Sequence, residues 1–373
     1  SVSAKGHNLV ANGNVHECDW GLFSCRQGRE ETTQNTTTSF LVIVEMFLEL
    51  KELPNEMGLL TSLERLDIVS LSLKSLPNSI DSLENLKYLN ASSNSLSVFP
   101  TSIYKLSNLE TLDLSSNVIE DTMDEGIGAL SNLRVIDLRY NLIGGQVPTE
   151  LGLMSGLEII NLAYNSLTSF VPGMQLPTSL KEIDFNLNDL AFDVALVIDG
   201  LTSLEHLRVA SNALYGTIPP SIGLLSNLVS LSLPENNIQG EIPSTVGNLT
   251  LLYEMDLATN QLSSSIPSEL ESCVTLTEFE VEDNSLEGTI PTILGRLTNL
   301  VRFTLNRNRL NGTIPTELGN LVNAEVMNFR VNKIEGIMPQ EICSLFQDGN
   351  LTILKVECIV GCSCCIDRSE EYC

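Results

Sequence analysis

Apolar residues return along most of this chain in one fixed frame: Leu228-x-x-Leu231-x-Leu233-x-x-Asn236-x-Ile238, then Leu252-x-x-Met255-x-Leu257-x-x-Asn260-x-Leu262, then Leu276-x-x-Phe279-x-Val281-x-x-Asn284-x-Leu286. The polar beat of the frame is an asparagine. It falls at Asn94, Asn117, Asn141, Asn165, Asn188, Asn212, Asn236, Asn260, Asn284, Asn308 and Asn332, with gaps of 23 or 24 residues. Alternation through Leu231 and Leu233 predicts a short strand with those two side chains inside and Ser230, Ser232 and Pro234 outside. No single repeat can bury its apolar side alone, so neighbours must stack. The expectation is an α/β repeat solenoid of about 13 repeats, a right-handed superhelix with a parallel β-sheet on its concave face and short 3-10 or helical segments on its convex face.

The repeating Asn enters where the chain leaves the strand. Its amide both donates and accepts, so it suits backbone groups left unpaired by the bend, and the row reads as a buried structural ladder. The turn that follows changes along the chain. Leu53-Pro54, Leu76-Pro77 and Phe99-Pro100 mark the early repeats, whereas a Gly-x-Ile-Pro pattern or a close variant runs from Gly145–Pro148 through Gly216–Pro219, Gly240–Pro243, Gly288–Pro291, Gly312–Pro315 and Gly336–Pro339. Glycine permits the bend and proline stops a strand from continuing. Two repeats break step, at Thr122–Gly126 and Ala191–Gly200, where a loop or a change of curvature is expected if the break is more than drift. The domain reading is residues 1–39 as an N-terminal cap remnant and linker, 40–350 as one elongated solenoid, and 351–373 as a cysteine-rich C-terminal cap. Within the first segment Thr32 to Thr38 reads as a flexible link, and Phe40 to Leu50 as the first buried strand and turn.

Charge narrows the partners. Against 20 Lys and Arg stand 47 Asp and Glu, a formal net charge of -27, which opposes nucleic acid and anionic membrane surfaces. Three histidines, His7, His16 and His206, leave little for acid–base catalysis, and no P-loop, GxSxG elbow or metal-binding His pair occurs, so an enzyme is not expected. No cofactor is implied. No apolar run reaches the length of a membrane span.

The nine cysteines crowd the ends. Cys18 and Cys25 lie at one, Cys343, Cys358, Cys362, Cys364, Cys365 and Cys373 at the other, and these eight are disulfide candidates stapling small caps in an oxidising compartment. A zinc site at Cys362, Cys364 and Cys365 is a minor alternative, because paired C-x-x-C spacing and a nearby histidine are both missing; no metal site is assigned. Cys273 fills a slot held by leucine elsewhere and is expected to be a buried, inert thiol. Sequons at Asn35, Asn90, Asn248, Asn311 and Asn350 permit N-glycosylation if the chain is secreted. A start at Ser1 without methionine reads as a processed form or a fragment.

The frame Leu-x-x-Leu-x-Leu-x-x-Asn-x-Leu-x-Gly-x-Ile-Pro, carried by about residues 63–340, resembles the plant-specific class of leucine-rich repeats, found in receptor-kinase ectodomains and polygalacturonase-inhibiting proteins. Cys18-Asp19-Trp20-Gly21-Leu22-Phe23-Ser24-Cys25 is similar to the end of their N-terminal cap, with the glycine one place early. The tail from Leu351 through Cys358 to Cys362-x-Cys364-Cys365 departs from the plant cap and looks more like the endings of diatom and algal leucine-rich-repeat proteins. The resemblance implies an extracellular or cell-surface recognition module that binds a protein, peptide or polysaccharide on the concave face. A structural or adhesive wall protein is the alternative. A receptor would need a membrane segment beyond Cys373, which favours a free secreted protein.

Side chains at equal register in neighbouring repeats stack about 4.8 Å apart, so the outward rows are where a site would lie. Glu235, Glu254, Asp256, Glu278, Glu280, Glu282 and Asp283 make an acidic patch on consecutive repeats, and Arg302, Arg307, Arg309, Arg330 and Lys333 follow at once. The bland account is that the arginines neutralise adjoining carboxylates. The functional one is a bipolar docking surface, with calcium among the carboxylates a third option. Arg139, Tyr140 and Tyr164, outward and adjacent, form a second candidate, since Arg and Tyr are enriched at binding hot spots.

Overall fold

The computed structural model describes residues 53–348, 351–356 and 360–361, together with the backbone of strands Glu17–Asp19, Phe23–Glu31 and Thr37–Met46. The chain packs as two compact units, Ser1–Pro177 and Thr178–Cys373. The division falls after Val171–Pro177, where the 3-10 turn of the other repeats is missing and Pro172, Gly173 and Pro177 interrupt the frame.

In Ser1–Pro177 parallel strands Arg65–Asp67, Tyr88–Asn90, Thr111–Asp113, Val135–Asp137 and Ile159–Asn161 pair in register. Ahead of them Thr37–Met46 runs parallel to Arg65–Asp67 and antiparallel to Phe23–Glu31, which is itself antiparallel to Glu17–Asp19. Thr37 and Thr38 therefore open a strand that runs into the expected one; the rest of the predicted Thr-rich link lies outside the described residues. In Thr178–Cys373 the parallel run is Glu182–Asp184, His206–Arg208, Ser230–Ser232, Glu254–Asp256, Glu278–Glu280, Arg302–Thr304, Val326–Asn328 and Ile353–Lys355. The strand stack thus extends past residue 350. Each unit is an α/β repeat solenoid, as the apolar frame requires.

The core is built from the frame itself. Leu228, Leu231, Leu233, Ile238, Leu252, Met255 and Leu257 are all fully buried, and in the interior Phe279 stacks on Phe303 with centroids 5.9 Å apart while Phe303 meets Phe329 edge to face at 5.7 Å. Cys273 joins them at 0% exposure, its thiol pushed up to about 11 by burial. Opposite the strands, five-residue 3-10 segments such as Ser244–Asn248, Thr292–Arg296 and Thr316–Asn320 each start at the proline of the turn. Glycines let these segments touch. A Cβ on Gly295 would stand 2.2 Å from the carbonyl oxygen of Glu317 in the next repeat. The bend glycines adopt the left-handed region, Gly312 at φ +76° and Gly336 at +97°.

The two irregular repeats still form the turn. Asp124 replaces the proline, its carboxylate accepting from Gly126 N at 2.8 Å to start Glu125–Ala129; Asp193 does the same for Ala195 N at 3.0 Å, starting Val194–Val197. Each is an N-terminal cap in place of a proline, so both repeats keep the 3-10 turn.

Candidate functional site

The ladder asparagines set the frame on which the strand face is displayed. Asn236 Nδ2 donates to Leu233 O at 3.2 Å in its own repeat and to Val209 O at 2.7 Å in the one before, while its Oδ1 accepts from Leu214 N at 3.0 Å. Asn94, Asn117, Asn141, Asn188, Asn236, Asn260 and Asn308 are buried; Asn165, Asn212, Asn284 and Asn332 are half-buried, a partial departure from the expectation of burial throughout. Immediately before each Asn stands a residue in the left-handed region: Ser93, Ser116, Tyr140, Tyr164, Leu187, Ser211, Glu235, Thr259, Asp283, Arg307 and Val331, with φ between +52° and +58°. None is glycine. The bend after the strand, which the Asn amide clamps from two sides, over-determines this conformation.

Two further rows were missed in the sequence. Asn90, Asp113, Asp137, Asn161, Asp184, Asp256 and Asn328 each accept a hydrogen bond from the backbone N–H two residues on. On the far side of the strands, Asn85, Asn108, Asn132, Asn227, Asn299 and Asn323 each donate to a carbonyl one repeat back. The signal was present, four and nine residues before each ladder Asn. It is diluted by substitutions, which are themselves informative. Arg208, Ser232, Glu280 and Thr304 break the first row in Thr178–Cys373, so those side chains are free to bond along the sheet instead.

That is where the charged field lies. The register aligns Ser230, Glu254, Glu278 and Arg302 in one row and Ser232, Asp256, Glu280 and Thr304 in the next. Ser230 and Ser232, expected outside, are 4% and 8% exposed, because the longer side chains flanking them cover these short ones; Ser230 Oγ donates to Glu254 Oε2 at 2.6 Å. Thr304 Oγ1 donates to Glu282 Oε2 at 2.5 Å, and Arg302 Nε to Glu280 Oε1 at 2.5 Å. Glu254, Asp256, Glu278, Glu280 and Glu282 are brought together on neighbouring strands, with Arg302 bonded to Glu280 and within electrostatic reach of Glu278 and Glu282.

Their electrostatics reflect that imbalance. Burial, then repulsion from Glu280, Glu282 and Glu254, pushes Asp256 up to about 7, against the stabilising N–H of Ala258. Glu278 is raised by burial, then by Glu254 and Glu280, with Arg302 opposing. Glu282 is raised by burial, with the Thr304 hydroxyl opposing and Glu280 and Asp283 adding to the rise. Among the described residues no group of three or more His, Cys, Asp or Glu is arranged to hold a metal ion.

The remaining predicted residues are distributed around this centre. Arg307 pairs with Asp283 at 2.6 Å, both partners substantially exposed. Glu235 accepts from Ser211 Oγ at 2.7 Å and faces the preceding repeat rather than the carboxylates. Arg330 follows the strand Val326–Asn328, whereas Arg309 and Lys333 lie on the strands Arg309–Gly312 and Lys333–Ile334 of a separate sheet, away from the carboxylates. In Ser1–Pro177 Arg139 pairs with Asp137 at 3.2 Å, and Tyr140 stacks on Tyr164 with centroids 4.3 Å apart and planes 23° from parallel, each ring more than two-fifths exposed. Cys343 is buried on the helix Gln340–Gln347, and Cys18 lies opposite Cys25 in the backbone register. The other five disulfide candidates lie outside the described residues.

Repeats with a buried apolar frame, a clamping Asn and a parallel strand at each step define the leucine-rich-repeat class. The chain belongs to that family. The family model described as a leucine-rich repeat region matches residues 40–151, and the one described as a leucine rich repeat matches 227–249 and 299–321. A leucine-rich-repeat protein of Leptospira interrogans is 30% identical over 82% of this chain and 75% of that one, with a TM-score of 0.68. The plant peptide hormone receptor RGFR1, solved in complex with RGF2, is 29% identical over 82% of this chain, with a TM-score of 0.73; the PEPR1–AtPEP1 structure is 26% identical over 91%, with a TM-score of 0.72. The chain spans 50% of each of those two receptor chains. Among curated proteins none matches. No helix of the described residues is long and apolar enough to cross a membrane.

Proposed function

We propose that this chain is a non-enzymatic recognition module that binds a protein or peptide across the strand face of Thr178–Cys373. The observation that carries this reading is the crowding of five carboxylates, Glu254, Asp256, Glu278, Glu280 and Glu282, on adjacent strands, where Arg302 pairs with Glu280 and three of the five have raised proton affinity. Such a field is poorly satisfied from within and is complemented by a cationic segment laid across the strands. The cation Arg330, which follows the next strand Val326–Asn328, supplies the opposite pole on the same face, which orients a ligand along the sheet. The similar plant peptide hormone receptor RGFR1 was solved in complex with RGF2, which supports a peptide over a polysaccharide.

The same reading places the protein outside the cell. It is supported by the eight cysteines crowded at the two ends, disulfide candidates of the kind that persist in oxidising compartments. The exposed stack of Tyr140 on Tyr164 is a second, smaller contact area on the other unit.

The test is affinity capture from cell-surface extracts with the oxidised protein, repeated with Glu280→Lys and Glu282→Lys together. Capture that depends on salt and vanishes in the reversed variant supports the reading. Capture unchanged by the reversal removes the charged field from the function, and self-association that survives it points to the structural or adhesive role.

A further inference from the structure

Three sequons fall on described residues, and the structure separates them sharply. Asn90 sits in the strand Tyr88–Asn90, half-buried; its Oδ1 accepts from Ser92 N at 3.0 Å and its Nδ2 faces Tyr88 Oη at 3.4 Å, while Ser92, the sequon hydroxyl, is 9% exposed. Asn311 lies on the second, outer sheet, in the strand Arg309–Gly312 between Glu287–Thr289 and Lys333–Ile334. There the alternation turns Arg309 and Asn311 to solvent and Leu310 inward. Its register partners Thr289 and Lys333 are exposed, as is the sequon hydroxyl Thr313, and no hydrogen bond holds its amide among the described residues. Asn248 ends the 3-10 segment Ser244–Asn248, also exposed, with Thr250 exposed two residues on.

We propose that Asn311 and Asn248 are N-glycan acceptors and that Asn90 is not. The folded chain accommodates a glycan only where the asparagine is exposed and its amide is not engaged in the structure, as at Asn311 and Asn248 and unlike Asn90. The donor is an oligosaccharide on a polyprenyl diphosphate. Asparagine Nδ2 bonds to the anomeric carbon, the bond from that carbon to the diphosphate oxygen breaks, the diphosphate leaves with the electron pair, and the amide nitrogen gives up one proton.

The placement has a functional corollary. Asn311 follows the ladder residue Asn308, on the outer sheet, whereas the charged rows precede the ladder on the strand face; Asn248 lies on the 3-10 side. Both glycans leave the carboxylate field open and cover surfaces that a strand-face partner does not need. The proposal rests on the extracellular reading, since the transfer takes place in a secretory lumen.

The experiment translates the full chain behind an export leader into eukaryotic microsomes and maps lumenal chains by mass spectrometry. Glycopeptides at Asn311 and Asn248 are expected, with Asn90 bare. Asn311→Gln and, independently, Thr313→Ala each remove one glycan, so a folding defect in either variant is recognised by the other. A lumenal chain bare at Asn311 or Asn248, or carrying a glycan at Asn90 in folded, protease-resistant material, overturns the proposal. Where the native protein resides is read separately, from the culture medium of its source cells, so failure of export and failure of the acceptor assignment give different results.

Discussion

Arg302 stands opposite Glu278 in the sheet register, yet its guanidinium crosses to Glu280, with Nε 2.5 Å from Oε1. The pair is uneven, with Arg302 46% and Glu280 13% exposed, so the carboxylate is held in the face while the cation remains at the surface. A double-mutant cycle with Glu280→Gln and Arg302→Gln should give a coupling of about 0.2–1 kcal/mol in chemical denaturation, the range of partly exposed pairs. A coupling indistinguishable from zero would mean that Arg302 divides itself among several carboxylates.

Asp256 makes stability depend on pH in an unusual direction. Its folded-state value, pushed up to about 7, lies above its ordinary 3.8, so between these limits the folded chain holds a proton that the unfolded chain has lost. The stability contributed by this group is therefore full below pH 4 and is lost as pH rises through 7. Asp256→Asn keeps an oxygen for the Ala258 N–H and removes the titration. The variant should gain stability relative to the parent as pH rises from 4 to 8, measured by denaturant midpoints across that range; a constant difference would contradict the assignment.

Removing a ladder amide exposes three buried backbone partners at once. Asn236→Ala leaves Leu214 N, Leu233 O and Val209 O without their side-chain partner, at about 1–3 kcal/mol for each group that water cannot reach. Asn227→Ala, on the exposed outer row, removes one bond to Thr202 O and should cost under about 1 kcal/mol. Comparable losses for the two variants would show that burial does not separate the rows.

Gly295→Ala is a steric test of the 3-10 side. The added carbon would meet Glu317 O at 2.2 Å and Glu317 Cβ at 2.9 Å, so adjacent repeats must move apart. A loss of about 1–3 kcal/mol is expected, since overpacking costs that much in a well-packed contact. A melting temperature equal to the parent's would mean that the segments slide without penalty.

The fold was legible because its determinants are periodic. Leu231, Leu233 and Asn236 recur in every repeat, and a stack has one way to bury them. The acidic and basic blocks were legible too, because register is fixed by that same period. What the sequence concealed depended on side-chain length and on local substitution. Ser230 and Ser232 read as exposed by parity, and only the reach of their neighbours buries them. The Asx row was hidden by Arg208, Ser232, Glu280 and Thr304, and Arg302 could not be assigned to Glu280 rather than Glu278 from spacing alone.

The left-handed residue before each ladder Asn carries serine, tyrosine, leucine, glutamate, threonine, aspartate, arginine and valine with nearly the same φ. The backbone there is indifferent to identity, because the amide clamp behind it fixes the conformation and the side chain stands outside the core. Each repeat thus offers one position where the chain's surface vocabulary can be rewritten without altering its grammar, and specificity can diverge among such proteins while the scaffold stays the same.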